Sequence, residues 1–311
     1  MKHVLSVSLG SSKRDHKVEA EILGEKFIIE RRGTDGDIKK AIEIIKEMDG
    51  KVSAFGMGGI DLYLSAGNRR YMIRDAVPIA RAAKISPIVD GSGLKNTLER
   101  KVINYLVVEK KVDFKGKRVL LVSAMDRFGM AEALAGAGCD LIIGDLIFAL
   151  GIPVPIRSLK TLDLLAKIVA PFICRLPFKM LYPTGEKQEK VDPRYRRFYD
   201  EADIIAGDFH FIRRYMPPDI SGKIIITNTV TPADVKMLRE RGAGMLITTT
   251  PELEGRSFGT NVMEGVLVSL STKPYKELTP ADYEELLDKI GFAPRIETLN
   301  DAAALPAGAA V

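Results

Sequence analysis

The sequence of 311 residues lacks the residues that several common kinds of site require. It has only two cysteines, Cys139 and Cys174, and three histidines that lie far apart in the chain. A structural zinc site needs thiolate and imidazole ligands at close spacing, so we predict no metal site. Two separate cysteines with apolar neighbours are typical of free thiols in a reducing compartment, and we therefore expect a cytoplasmic protein.

Long apolar runs and a strong excess of one charge are also missing. The most apolar stretch, residues 162–176, is broken by two basic residues, an aspartate and a proline, whereas a membrane-spanning helix needs ~20 apolar residues. The first residues are too polar for a signal peptide. The net charge of +5 is modest, and the arginine doublets do not form a basic stripe. We predict neither a membrane partner nor a nucleic-acid partner.

Composition gives one weak indication of the source. Tryptophan is absent and glutamine occurs once, whereas lysine, arginine and glutamate are abundant. This bias is typical of proteins from heat-adapted organisms, and we expect a thermophilic source.

Short apolar runs alternate with segments of helical periodicity along most of the chain, which predicts an α/β fold. We expect two α/β domains, the second with a Rossmann-like, mostly parallel sheet. The first domain is placed at residues 1–109 and is expected to bind substrate. The second is placed at residues 110–275, and residues 276–311 are predicted to form a helix and a flexible tail.

The central motif lies in the second domain. Residues 119–122 indicate a buried strand, followed by a turn, a helix, a second strand at 140–143 and then Asp145. This order begins a dinucleotide-binding βαβ unit, in which the helix N-terminus faces phosphate and the acid binds ribose. The turn has a single glycine where the usual fingerprint has three. The Asp126 carboxylate would repel a pyrophosphate. The Arg127 guanidinium would offset this repulsion by binding phosphate oxygens. The predicted cofactor-binding residues are Ser123, Ala124, Asp126, Arg127, Gly129, Asp145, Thr227 and Thr248.

Polar loops that follow other predicted strands supply the candidate substrate-binding residues. Small, hydroxyl and basic side chains after the first strand are suited to an anion, although such loops are also common as plain turns. Asp61 is either a substrate ligand or a helix cap. In the loop after the last strand, Arg256 is suited to clamp a carboxylate. The predicted substrate-binding residues are Ser11, Ser12, Lys13, Asp61, Asn96, Arg256, Thr260 and Asn261.

Three residues are candidates for acid–base chemistry: Lys95, Asp90 and His210. Lys95 lies near a predicted helix start and near Asp90, so it suits proton transfer if it is partly desolvated. A solvated lysine on the first turn is the alternative. His210 follows a predicted strand and titrates near neutral pH, but its aromatic neighbours also suit a packed histidine.

Residues 7–13 and 58–64, together with the predicted domain order, resemble a bacterial group described as quinate 5-dehydrogenase-like, and more distantly the shikimate and quinate dehydrogenases. The resemblance implies NAD as cofactor, and Asp145 matches the acid that favours NAD over its 2′-phosphate form. The lysine and aspartate contexts of that family are missing, because Asn96 and Thr97 are followed by Leu98 and not by Asp-Gly.

The function predicted from these features is an NAD-dependent oxidoreductase acting on a small hydroxylated carboxylate, with a homodimer left open. The alternative is a protein that binds S-adenosylmethionine or another nucleotide-derived ligand on the same fold. A third hypothesis is a binding protein without catalysis, because no complete catalytic pair is recognisable.

Overall fold

The computed structural model describes residues 1–66, 69–176, 195–253 and 256–300, without the side chains of residues 65, 66, 69, 252, 253 and 256. In these residues, the strands form one sheet of five strands, one of six strands and two short hairpins. Both large sheets are mostly parallel, which confirms the predicted fold class of two α/β units.

The first sheet has the strand order β2-β3-β1-β4-β7, and only its β2–β3 pair is antiparallel. A hairpin of β5 and β6 lies beside it. The elements are β1 Lys2–Ser8, β2 His16–Ile22, β3 Glu25–Gly33, α1 Ile38–Met48, β4 Ala54–Gly58, β5 Tyr63–Ala66, β6 Arg69–Met72, α2 Val77–Ala80, β7 Ile88–Val89 and α3 Ser92–Val108.

The second sheet has the order β9-β8-β10-β11-β12-β15, and only β15 is antiparallel to its neighbour. Its elements are β8 Arg118–Leu121, α4 Phe128–Gly136, β9 Asp140–Ile143, α5 Leu159–Ile173, α6 Arg196–Glu201, β10 Ile204–Ala206, α7 Phe209–Tyr215, β11 Ile224–Thr227, α8 Pro232–Glu240, β12 Met245–Thr248, the β13 Glu252–Leu253 and β14 Arg256–Ser257 hairpin, α9 Thr260–Leu270, α10 Pro280–Lys289 and β15 Arg295–Thr298.

The strand order determines where the second sheet has its crevice. The chain goes from β8 to β9 on one side and then crosses to β10 on the other side of β8. This is the 2-1-3-4-5 arrangement, and not the 3-2-1-4-5-6 order of dinucleotide-binding sheets. In open α/β sheets, ligands bind at the carboxyl ends of the two strands where the direction changes. Here those are β8 and β10, and they lead into residues 122–127 and 207–208.

Helix α9 lies between β12 and β15 of the second sheet in sequence but packs on the first sheet. A Cβ at Gly265 would lie 2.9 Å from a methyl group of Val4 in β1. Val262 and Val266 share a buried cluster with Phe27 of β3. Helix α1 covers the other face of the same sheet, where Leu5 and Val7 of β1 share a buried cluster with Ala41 and Ile45 of α1, so β1 is buried on both sides.

Several predicted elements differ from the observed ones. The pattern of residues 75–83 predicts one helix, but the structure has a short turn followed by α2 there. No strand was predicted where β2 lies. The predicted tail also begins with β15, which pairs with β12 at the edge of the second sheet. Edge strands such as β2 and β15 bury fewer side chains than central strands, so their apolar signal is weak. Residues 301–311 lie outside the described residues.

Candidate functional site

The carboxyl ends of strands from both sheets meet at Lys95. Asp61 follows β4 of the first sheet, and Asp126 follows β8 of the second. Lys95 lies on the first turn of α3, and its Nζ is 3.3 Å from Asp61 Oδ2 and 3.5 Å from Asp126 Oδ2. The Lys95 side chain is only 11% exposed. The two sheets therefore each contribute one carboxylate to a single ammonium group that is largely buried.

The loop before α3 holds Lys95 in this position. Gly91 has a φ of 92°, and a Cβ there would lie 2.9 Å from a backbone nitrogen of α9, so the position requires glycine. One oxygen of Asp90 accepts hydrogen bonds from the backbone N–H groups of Leu62 and Tyr63, and the other accepts from Ser92. Asp90, a predicted catalytic residue, thus ties the β5–β6 hairpin to the start of α3.

Burial and charge set the protonation of the cluster. Burial raises the pKa of Asp61 to about 6, because the attraction of Lys95 only partly offsets the loss of solvation and the charge of Asp126 adds to it. Burial alone would lower the pKa of Lys95, but the two carboxylates outweigh it and raise that pKa. At neutral pH the cluster therefore offers an ammonium donor beside carboxylate acceptors.

A small pocket opens beside this cluster. It is lined by Tyr63, Ser92, Lys95, Asn96 and Asp126, is partly open to solvent, and encloses only enough space for a water-sized group. The enclosed space therefore admits a single small polar group of a ligand and cannot hold a dinucleotide.

Arg127 fills the crevice between β8 and β10. Its side chain is 2% exposed, its Nη1 donates to Glu99 Oε1 in α3, and its Nη2 lies 3.2 Å from Asp208 Oδ2. Burial raises the pKa of Glu99 to about 7 in spite of this contact. For Asp208, the charges of His210 and Arg127 and its hydrogen bonds outweigh burial and lower the pKa to about 2. An internal ion network thus occupies the place where an open sheet usually binds its ligand.

The predicted cofactor turn is likewise occupied by the protein. The carboxylate of Asp145 accepts hydrogen bonds from the backbone N–H groups of Ala124 and Met125, each at 2.9 Å. Gly129 N donates to Asn96 Oδ1, and a Cβ at Gly129 would lie 2.5 Å from the Asn96 carbonyl oxygen. Gly129 therefore allows α3 and α4 to approach each other, and the start of α4 faces an asparagine where we expected phosphate.

The other predicted cofactor residues lie at the carboxyl ends of their strands but have internal roles. Thr227 Oγ1 donates to the carbonyl of Gly207, and Thr248 Oγ1 donates to the carbonyl of Thr250. Ser123 Oγ is buried without a hydrogen-bond partner in the part of the chain that the structure describes. The two threonines thus support the loops at this edge of the sheet.

His210 lies apart from the Lys95 pocket. Its backbone N–H donates to Asp208 Oδ1 at the start of α7, and its ring Nε2 is 3.0 Å from Arg14 Nη1. In its neutral form the His210 ring can accept a hydrogen bond from Arg14 through Nε2. His210 therefore connects α7 to the loop after β1.

The loop after β1 forms a local turn. Ser11 Oγ accepts from Lys13 N at 3.3 Å, and Ser12 N donates to Asp35 Oδ1 at 2.8 Å. None of these three predicted substrate residues lines the Lys95 pocket.

The loop after β12 connects to the first sheet. Thr260 is buried at the start of α9, and Asn261 Nδ2 donates to Ser6 Oγ in β1 at 2.9 Å. The side chain of Arg256 lies outside the described residues. The structure thus brings together Asp61, Lys95, Asn96 and Asp126 from the predicted set, and places Thr260 and Asn261 at the contact with the first sheet.

Three functional features were missed in the sequence. Tyr63 lines the pocket, Glu99 pairs with Arg127, and Glu264 accepts hydrogen bonds from Gly91 N and the Tyr283 hydroxyl. A signal existed for Glu99, which lies four residues after Lys95 and therefore on the same side of α3. No comparable signal marks the other two, because their partners are distant in sequence.

Two family models match this chain. Residues 93–299 match the model of a family described as "Domain of unknown function (DUF8754)", and residues 3–90 match one described as "Domain of unknown function (DUF8753)". The chain belongs to the DUF8754 family. A search of curated proteins finds no match to this DUF8754 chain.

Solved structures match the DUF8754 chain only distantly. A galactofuranose-binding protein is 15% identical with a TM-score of 0.36, over 94% of this chain and 99% of that one. GanP, a glucose-galactose binding protein from Geobacillus stearothermophilus, is 10% identical with a TM-score of 0.38, over 97% and 98%. An NAD-dependent malic enzyme from Thermotoga maritima is 12% identical with a TM-score of 0.29, over 86% and 71%. These TM-scores are too low to support an argument about function.

These findings correct two predictions. The assignment to the quinate and shikimate dehydrogenases is wrong, because the family models that match the chain are domains of unknown function. The predicted function of an NAD-dependent oxidoreductase is wrong as well. In physical terms, the turn that was to hold the cofactor instead binds Asp145 and Asn96. The alternative with S-adenosylmethionine relied on the same Asp145 and gains no support.

The described residues lack two features that other kinds of partner require. No helix there is long and apolar enough to cross a membrane. No group of three or more histidine, cysteine, aspartate or glutamate side chains there is arranged to hold a metal ion. NAD binding as such, the cytoplasmic location and the domain boundaries stay predictions.

Proposed function

We propose that this chain binds a small, uncharged, polyhydroxylated molecule in the pocket at Lys95. The observation that carries the proposal is the contact of one ammonium group with Asp61 and Asp126, which come from different sheets. A hydroxyl group both donates and accepts hydrogen bonds. Neighbouring hydroxyls therefore match a site where an ammonium donor lies beside carboxylate acceptors.

The other lining residues fit the same kind of ligand. The Ser92 hydroxyl donates to Asp90, so its oxygen is left to accept from a ligand. Asn96 Oδ1 accepts from Gly129 N, which leaves its amide nitrogen to donate. The ring of Tyr63 adds a flat apolar surface for the carbon side of a polyol.

The balance of charge argues against an anionic ligand. Lys95 and Asp126 line the pocket and Asp61 contacts Lys95 from beside it, so two carboxylates face one ammonium and a phosphate or carboxylate would meet net repulsion there. A neutral polyol or monosaccharide has no such cost.

A ligand screen tests this proposal. Neutral monosaccharides and polyols, each beside its matched sugar acid, are measured by thermal shift and titration calorimetry. We expect a neutral compound to bind, and a ligand at 100 times its Kd stabilises the fold by about 2.7 kcal/mol. Lys95→Ala should lose the effect. The control Lys101→Ala should keep it, because Lys101 lies on the same helix but pairs with Asp288 at the surface.

The proposal fails if no neutral compound in the screen stabilises the protein. It also fails if Lys95→Ala binds the hit as well as the unchanged protein does.

Proton transfer on the bound molecule is a second candidate function. The specific observation is that Asp61, whose pKa burial raises to about 6, lies 3.3 Å from the Lys95 ammonium. A base and an acid in contact, with a pKa near neutrality, are what acid–base catalysis requires. For a hit that is a sugar with an open-chain carbonyl form, Asp61 would remove the proton from the carbon next to that carbonyl while Lys95 hydrogen-bonds the enolate oxygen, and a deuteron from D₂O would return to the same carbon. Incubation in D₂O should therefore show deuterium at that carbon, and Asp61→Asn should lose the exchange. If the hit gains no deuterium, this candidate function is excluded for that compound.

A further inference from the structure

We propose that the outer ridge of helix α5 is the contact surface of a symmetric homodimer. The ridge consists of Leu164, Ile168 and Phe172, spaced four residues apart and 60%, 55% and 69% exposed. Large apolar side chains that are mostly exposed along one helix face indicate an interaction surface when they are contiguous.

Exposed apolar residues are concentrated in this part of the chain. Of the thirteen exposed large apolar side chains among the described residues, seven lie between positions 150 and 176. The other six are scattered over the rest of the described chain. The seven are Leu150, Ile152, Val154, Leu164, Ile168, Phe172 and Leu176.

The opposite face of α5 is already used by the fold. Leu162, Ala166 and Ala170 are fully buried. The two alanines pack against Leu64 and Tyr71 of the β5–β6 hairpin. Since this inner face holds the helix in place, the outer ridge contributes little to the fold of a single chain.

A second copy of the chain fits the ridge by symmetry. Rows of residues four apart form the ridges that interdigitate when two helices cross. A two-fold axis at Ile168 places Leu164 of each copy against Phe172 of the other copy, so the same contact forms on both sides of the axis. The exposed fractions of the three ridge side chains correspond to on the order of 300 Å² of apolar surface. That area suits the apolar centre of an interface whose ~800 Å² per partner also includes a polar rim.

The charges on α5 suit the same arrangement. Lys167 Nζ is 2.5 Å from Asp163 Oδ2, so the charge beside the centre of the ridge is already neutralised. Lys160 and Arg175 are exposed near the two ends of the helix, where they can remain in water. An apolar centre with a charged rim is typical of interfaces between proteins.

Sedimentation velocity of the full chain tests the proposal. We expect a dimer at micromolar concentration, and Leu164→Ser/Phe172→Ser should weaken it by more than ~100-fold, as expected when two central residues are lost. The matched control is Ile85→Ser/Val108→Ser, whose side chains are 77% and 74% exposed elsewhere, and which should leave the dimer intact. Circular dichroism checks that each variant is folded.

A crosslink decides the matter if the serine variant does not fold. Ile168→Cys lies on the proposed axis, so mild oxidation should join two copies, whereas Ile85→Cys should not be joined. The proposal is overturned if the wild-type chain stays monomeric. A monomeric chain that binds anionic lipid vesicles would overturn it as well, because the ridge would then contact a membrane surface. It is equally overturned by a dimer that survives Leu164→Ser/Phe172→Ser, or by a failure of Ile168→Cys to crosslink.

Discussion

Among single residues, Arg127 shows how burial changes the role of a side chain. The sequence places it in a turn where it was expected to face phosphate. In the structure it is buried between Glu99 and Asp208, and its charge is satisfied internally. The residue next to it, Asp126, faces the pocket instead.

Loss of Arg127 should strongly destabilise the protein. Arg127→Ala leaves Glu99 buried without its cation, and breaking a buried ion pair from one side costs about 3–5 kcal/mol. Arg100→Ala is the control, because Arg100 pairs with Glu132 at the surface, where a pair contributes ~0–1 kcal/mol. Urea unfolding of both variants measures the difference. Equal stabilities would show that the network around Arg127 is not a buried ion pair in solution.

Between elements, the contact of α3 with α4 depends on one glycine. Gly129 N donates to Asn96 Oδ1, and a methyl group at Gly129 would overlap the backbone of Asn96. Gly136 in the same helix has nothing within 4 Å of the corresponding position.

Alanine at these two glycines should therefore have opposite effects. We expect Gly129→Ala to cost about 1–3 kcal/mol through overpacking, and Gly136→Ala to stabilise the protein by about 0.5–1 kcal/mol through helix propensity. Thermal unfolding measures both. A neutral Gly129→Ala would mean that α3 and α4 separate at little cost.

Glu264 on α9 connects three elements and makes stability depend on pH. It accepts from Gly91 N and from the Tyr283 hydroxyl, and burial, with the charge of Asp90, raises its pKa to about 7. The folded state therefore keeps a proton that the unfolded chain, with a pKa of 4.5, has released. Stability due to this proton is present below pH 4.5 and is lost as the pH rises towards 7 and above.

Glu264→Gln should flatten this dependence. Between pH 5 and pH 8 the wild-type free energy of unfolding should fall by at least ~1 kcal/mol more than that of the variant. Glu285→Gln, at an exposed carboxyl group on α10, should follow the wild type. Urea midpoints at several pH values provide the comparison, and parallel curves for wild type and Glu264→Gln would refute the assignment.

On the scale of the whole molecule, the two sheets depend on each other. Helix α9 belongs to the second half in sequence but covers the first sheet, and Asn261 bonds to Ser6 of β1. One family model matches residues 93–299 and another matches residues 3–90. The apolar face of α9 lies in the first of these segments and packs on the sheet formed by the second.

A fragment of residues 92–311 should consequently fold poorly. Val262, Val266 and Phe258 would lose their cover and become exposed to water. We expect the fragment to unfold at a clearly lower temperature than the full chain, or to aggregate, in circular dichroism and light scattering. Addition of a fragment of residues 1–91 should restore part of the stability. An isolated fragment as stable as the full chain would contradict this account.

The local features of this protein follow from its amino-acid sequence. Apolar strands, the Thr231–Pro232 helix start and the alternation of strand and helix each depend on residues close in the chain, so the α/β class and most central elements were predictable. Which polar residues meet depends instead on how distant segments pack. Lys95, Asp61 and Asp126 come from three separate segments, and the direction in which Arg127 and Asp145 point depends on how the chain crosses from β9 to β10. Strand order and long-range charge contacts are set by packing between distant segments, and no local pattern records them.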